Sequence, residues 1–184
     1  MVAAYLAFLG LFGAERIAEL LLSRRNARIA RARSGVESGA SHFRWMAAVH
    51  ALFLPACAAE VLFLHRPFPG ALGWVCAALA LAAQGLRWWA IATLGWRWNV
   101  RVIVVPSEPP VRGGPYRFLR HPNYVAVAVE MLCVPLAHGA WLCALIFSLL
   151  NALLLRVRIR VEETALGAGW QREFSSVPRF IPHG

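Results

Sequence analysis

The chain has 184 residues, one domain's worth, and 59% of them are hydrophobic, with eight Trp, ten Phe and a mean hydropathy of +0.55. A soluble domain of this size cannot bury so much apolar surface, so an ordinary water-soluble globule is excluded and the bilayer is the expected solvent. The net charge of +10 is arginine set against glutamate, because the sequence holds no Lys and no Asp; these arginines gather between apolar runs, a pattern of membrane topology and anionic headgroup contact that argues against a nucleic-acid partner.

Five apolar segments follow one another: Val2 to Leu22, Phe43 to Leu64, Ala71 to Ala92, Tyr124 to Ala137, and Ala140 to Leu155. The first three reach the ~20 residues of a spanning helix, and the last two are short enough for a tilted or thinly spanning hairpin turned at Pro135 and His138-Gly139. The expected fold is an all-α integral membrane protein of about five transmembrane helices, with a cytoplasmic loop, a C-terminal helix and no Rossmann domain. It divides into a three-helix membrane part, 1–95, and a part that carries the chemistry, 96–184. Arginines crowd the first connection (Arg24 to Arg33), the connection after the third segment (Arg97 to Arg120) and the C-terminal stretch, whereas the opposite side offers only Arg66. The positive-inside rule therefore places the N-terminus outside and the C-terminus in the cytoplasm. The start of the chain is expected to be a retained span, since Glu15, Arg16 and Glu19 interrupt it and no small-residue cleavage site follows. Between Gly95 and Arg120 a β-prone run, Val100 to Val105, gives way to Pro106, Pro109, Pro110 and Pro115, so a long functional loop is expected there and not a helix.

Polar chemistry concentrates in two places. Gly113 to Tyr124 combines turn formers with Arg117, Arg120, His121 and Asn123 directly ahead of an apolar helix. His121 precedes Pro122, which pushes it out of helical backbone to where free N–H groups favour an anion; the plainer reading is an interfacial His touching headgroups. Tyr116 and Tyr124 are placed to stack on a flat ring or to serve as belt tyrosines. Near the end, Arg158 and Glu162 stand at i and i+4 with Glu163 beside them, either a solvated helix pair or a ligand site at the membrane surface. Within the apolar segments, Glu15, Arg16, Glu19, His50, Glu60 and Glu130 need partners or a cavity; Arg16, His50 and Glu130 are the candidates for touching a substrate. Cys57, Cys76, Cys133 and Cys143 sit singly in apolar runs and read as small buried hydrophobes, so no metal site is expected.

The motifs GPYRFLRHPNY (114–124), RIRVEETAL (158–166) and VPRFIP (177–182), in that order, resemble the isoprenylcysteine carboxyl methyltransferase family. ERIAELLLSRRN (15–26), SHFRWMAAVH (41–50) and QGLRWWAIATLG (84–95) resemble its small bacterial branch, some members of which methylate long-chain polyketide pyrones. The resemblance implies an integral membrane O-methyltransferase that uses S-adenosylmethionine without a Rossmann fold, transferring methyl to a carboxylate, enolate or hydroxyl oxygen of a lipophilic acceptor, isoprenylcysteine-like or a polyketide lipid. It implies cofactor contacts at Tyr116, His121, Pro122, Tyr124 and Glu163, and an essential pair at Arg158 and Glu162. A chain without Lys and Asp suggests a GC-rich genome, hence a bacterial inner membrane and a lipid acceptor. The rivals are a membrane sterol- or enone-type reductase that uses NADPH, a phospholipid N-methyltransferase, and a non-enzymatic membrane scaffold.

Overall fold

A computed structural model describes residues 1–180, apart from the side chain of His42; Ile181 and Pro182 of the last motif lie outside the described residues. Five helices dominate: α1 (Val2–Ala32), α2 (Ala40–Phe63), α3 (Ala71–Leu94), α4 (Pro122–Leu136) and α5 (Trp141–Glu173). By length and apolarity α2, α3 and α5 can cross a membrane. Helix α1 is long enough but carries Glu15, Arg16 and Glu19 in its middle, and α4 is short at 15 residues. The arginine stretch expected as the first connection is in fact the last turns of α1, because Arg and Ala are strong helix formers and need no apolar face to continue a helix already started.

Each helix end has a local cause. Helix α4 starts at Pro122, whose fixed φ and missing N–H suit the first helical position. It ends in the turn at His138-Gly139, where Gly139 takes φ 74°, while Pro135 remains inside its last turn. The N-terminus of α5 is capped from another helix. Glu60 of α2 accepts from the amides of Leu142 (3.1 Å) and Cys143 (2.7 Å), and Arg66 binds Glu60 at 3.0 Å while lying over the ring of Trp141. That accounts for the one acidic residue of α2. Further along, α5 kinks at Gly167, where φ 77° and ψ −179° leave helical space, and the kink turns its last six residues over the loop below.

Helix α3 packs along α4, and α5 packs against both α4 and α2. The α3 face in contact presents Gly73, Cys76, Ala80, Ala83 and Ala90, small residues that let backbones approach closely where lipid supplies no hydrophobic drive. The main core joins Tyr5, Leu9, Phe12, Phe53, Val61, Met131, Val134 and Phe147, and the four cysteines are buried and unpaired. A smaller cluster at the other end gathers Ala90, Tyr116, Trp170, Phe174 and Val177.

The β-prone run does form a strand. β1 (Val36–Ser38) pairs antiparallel with β2 (Val102–Val104), with Glu37 opposite Ile103. So short a ribbon is marginal alone. Glu37 reinforces it by accepting from Arg101 (2.6 Å) and Arg31 (2.8 Å), which together hold its carboxyl below the usual carboxylate range. Asn26 of α1 donates to the carbonyls of Gly95 and Trp98, and Ser23 with Asn99 completes the tie between α1 and the long loop.

Candidate active site

The loop that opens α4 is built by close approach. Gly114 adopts φ 51°, and a Cβ there would fall 2.3 Å from the Thr93 hydroxyl and 2.9 Å from the Trp89 indole nitrogen, so only glycine lets this turn lie on α3. The 3₁₀ turn Gly114–Arg117 then buries Tyr116, and burial pushes its phenol pKa up, so it stays protonated. Arg120 fastens the loop to the C-terminal segment by donating through its side chain to the carbonyls of Val177 (2.5 Å) and Ser175 (3.2 Å), and its backbone N–H donates to the carbonyl of Pro178.

His121 is 3% exposed and stacks on Tyr124 at 5.2 Å, with Trp170 5.9 Å away. Its Nε2 meets Glu163 at 3.0 Å, and Arg179 donates twice to the same carboxylate, at 2.9 and 2.6 Å. The free N–H groups expected ahead of α4 are mostly used: Tyr124 and Val125 both donate to the His121 carbonyl and Pro122 has none, which leaves the Asn123 amide. Arg158, 5% exposed, donates through Nε to the Tyr124 hydroxyl at 3.1 Å, and that hydroxyl donates to Glu162. Arg158 and Glu162 are thus joined through Tyr124 and not directly, and the two terminal nitrogens of the guanidinium have no partner among the described residues.

A second polar group lies deeper in the helices. Glu19, 2% exposed, takes a bidentate pair from Arg87 (2.5 and 2.6 Å) and a bond from Arg16 at 2.9 Å. Arg16 also reaches Gln84 (2.9 Å) and Glu130 (3.2 Å), while the His50 ring faces the Met46 carbonyl at 2.9 Å.

One cavity of about 730 Å³ touches both groups. Tyr116, His121, Asn123, Tyr124, Arg158, Glu162 and Trp170 line it on one side and Arg16, Glu19, His50 and Arg87 on the other. Pro122, Glu163 and Glu130, named from the sequence with these, stand behind the lining: Glu163 backs His121 and Glu130 backs Arg16. Arg87, Gln84 and Arg179 are the polar residues that sequence reasoning missed. Arg87 and Gln84 stood inside a quoted motif, and an arginine in an apolar run was the available signal. A smaller hollow of about 480 Å³ between α1 and α2, lined by Leu6, Leu9, Gly10, Gly13, Leu54 and Pro55, shares Arg16, His50 and Ala51 with the cavity. Among the described residues no three His, Cys or Glu side chains gather at metal-binding spacing.

Comparison with known proteins places this geometry in context. The family model for the isoprenylcysteine carboxyl methyltransferase (ICMT) family matches residues 75–168, which include most of α3, the long loop, α4 and most of α5. The uncharacterized protein YpbQ of Bacillus subtilis (strain 168) is 38% identical over 152 residues, 83% of this chain and 90% of its own length. An uncharacterized protein of Haemophilus influenzae is 25% identical over 152 residues, 82% of this chain and 88% of its own.

Proposed function

Because the chain belongs to the isoprenylcysteine carboxyl methyltransferase family, and is on that ground a membrane methyltransferase, we propose that it methylates an oxygen of a lipophilic acceptor with S-adenosylmethionine as donor. The observation that carries this reading is the single cavity joining the loop of α4 to the membrane-level polar group and, through Arg16 and His50, to an apolar hollow between helices. Such a shape suits a polar cofactor entering beside the loop and a hydrocarbon tail arriving from the bilayer.

The residues present fit the donor. Asn123 Oδ1 is a buried acceptor with no partner, placed in the cavity wall and suited to an ammonium group. His121, Tyr124 and Trp170 form an aromatic wall suited to a flat ring or to a sulfonium cation. When bound, the donor supplies a methyl group activated by positively charged sulfur. Tyr116, His121 and Tyr124 would hold it, Pro122 fixes the backbone that aims His121, and Glu163 acts through His121 as a positioning residue.

Arg158 would hold the acceptor oxygen with its two free N–H₂ groups and favour the ionised form of that oxygen, which removes the need for a strong base. Glu162 fixes the Tyr124 hydroxyl, and the hydroxyl fixes Arg158. Buried walls strip water from the oxygen, and alignment is the remaining task of the protein. The acceptor class that fits is a lipid with an acidic oxygen at one end, such as a carboxylate or an enolised ring oxygen.

Titration calorimetry of the detergent-solubilised protein with S-adenosylmethionine is expected to give saturable binding. His121→Ala and Glu163→Ala are expected to weaken it by about 1–3 kcal/mol, the loss of one charge-assisted hydrogen bond. Unchanged affinity in both variants removes the loop from the cofactor site, and saturable binding of NADPH in its place turns the reading toward a reductase. Incubation of the protein with a bacterial lipid extract and methyl-labelled donor should move label into an organic-soluble, base-labile or enol-ether product.

The same reading places the protein in a bacterial inner membrane with the loop of α4 and the end of α5 in the cytoplasm. Reporter fusions after Arg33 and after Gly184 should both read cytoplasmic. A periplasmic signal at either point reverses the route of the cofactor.

A further inference from the structure

Three unpartnered polar atoms lie together in the deeper polar group. Gln84 Nε2, Arg87 Nη1 and Glu130 Oε1 are all buried and without a partner among the described residues, and all belong to the network that Arg16 and Glu19 knit across α1, α3 and α4. Native proteins leave few buried donors and acceptors unsatisfied, and a cluster of them is where a ligand or a held water completes the set. Arg87 is 5% exposed and lines the cavity; its Nε and Nη2 are spent on Glu19, and its Nη1 stands 3.9 Å from Glu130, beyond hydrogen-bond reach.

Two features say what kind of group belongs there. Arg16 and Arg87 against Glu19 and Glu130 leave no formal net charge, so the spot has nothing to recruit an anion. Toward the cavity it offers the unpartnered Arg87 N–H₂ as a donor with no net charge behind it, which complements a neutral hydroxyl or carbonyl oxygen. Its depth follows from α4: Glu130 is six residues beyond Tyr124, about 9 Å along the helix axis, with the apolar Val127 between.

We propose that this spot is a second polar subsite of the acceptor cavity, in which Arg87, with Gln84 and Glu130 behind it, holds a neutral oxygen of the acceptor lipid about 9 Å deeper than the methylated oxygen. The substrate class narrows accordingly to single-chain lipids that carry two separated oxygen functions, an acidic one at the head and a neutral one along the chain. This rests on the methyltransferase reading for the identity of the head group but not for the subsite itself.

Displacement of the fluorescent fatty acid cis-parinaric acid from the purified protein in nanodiscs tests it, with stearate, α-hydroxystearate and a mid-chain hydroxystearate as competitors. The parent protein is expected to bind the mid-chain hydroxy acid about tenfold more tightly than the other two, as for a hydrogen bond to a charged donor. Arg87→Lys keeps the charge beside Glu19 but has no Nη1, and Glu19→Ala combined with Arg87→Leu removes the buried pair as a whole. Each should bring the three acids to near-equal affinity while leaving that for stearate unchanged. If Arg87→Lys does not yield monodisperse protein, the double variant decides alone. Equal affinities in the parent, a preference that survives in both variants, or no parinaric acid binding overturns the subsite, and equal affinities would mean that held water alone completes these groups. Displacement requires no methyl transfer, so the two readings fail separately: intact preference without turnover refutes the methyltransferase chemistry, and turnover without preference refutes the subsite.

Discussion

Arg158→Lys is expected to lower methyl transfer about a hundredfold while leaving affinity for S-adenosylmethionine nearly unchanged, the scale of losing one preorganised donor to a charged oxygen. Lysine keeps the charge but not the planar fork. In this protein the Nε of that fork is already committed to Tyr124, and Arg158 lines the cavity. Because Arg158, Tyr124 and Glu162 form one chain of hydrogen bonds, Glu162→Gln combined with Arg158→Lys should be little worse than the poorer single variant, and Tyr124→Phe should behave as a third member of the unit. Single-turnover rates with a saturating lipid acceptor provide the measurement. Turnover by Arg158→Lys at the parent rate would reduce this arginine to a structural role and move the acceptor site toward Arg16 and Arg87.

Glu19→Ala is expected to destabilise the protein by about 3–5 kcal/mol, the cost of stranding buried charge. Its carboxylate is the shared partner of Arg16 and Arg87, and Arg87 keeps only a distant Glu130 once Glu19 is gone. Glu19→Ala combined with Arg87→Leu should recover much of the loss, since a buried ion pair replaced as a whole by apolar groups is far less harmful than one partner removed. Reversible unfolding in mixed micelles reads both quantities. A single variant as stable as the parent would mean that lipid or water already shields these arginines and that the network does not join α1 to α3.

The helices were legible where hydrophobicity is continuous. The ends drawn for the second and third apolar segments fall within three residues of α2 and α3, and the hairpin turn at His138-Gly139 falls where α4 stops. Helix α1 ran ten residues past its expected end because apolarity marks lipid contact, whereas the helix itself continues on propensity. The site was legible where its residues are close in sequence, as in Gly113 to Tyr124 and Arg158 to Glu163. It was illegible where partners are far apart. Arg87 finds Glu19 across 68 positions, and Arg120 binds carbonyls 55 and 57 positions away, so nothing in either local stretch announces the partner. The tyrosine that links Arg158 to Glu162 belongs to this class too, being 34 positions from one and 38 from the other.

The cap that Glu60 places on α5 also fixes which end of the helices the cavity leaves closed. None of the residues lining the large cavity comes from 52–86 or 128–154, the stretches that hold Glu60, Arg66, Trp141 and much of the aromatic core around Tyr5 and Phe53. Its lining thus stays away from the capped end, and the apolar hollow that it meets at Arg16 and His50 lies between α1 and α2. A ligand entering beside the loop of α4 therefore meets Arg16 and His50 before any residue of the cap.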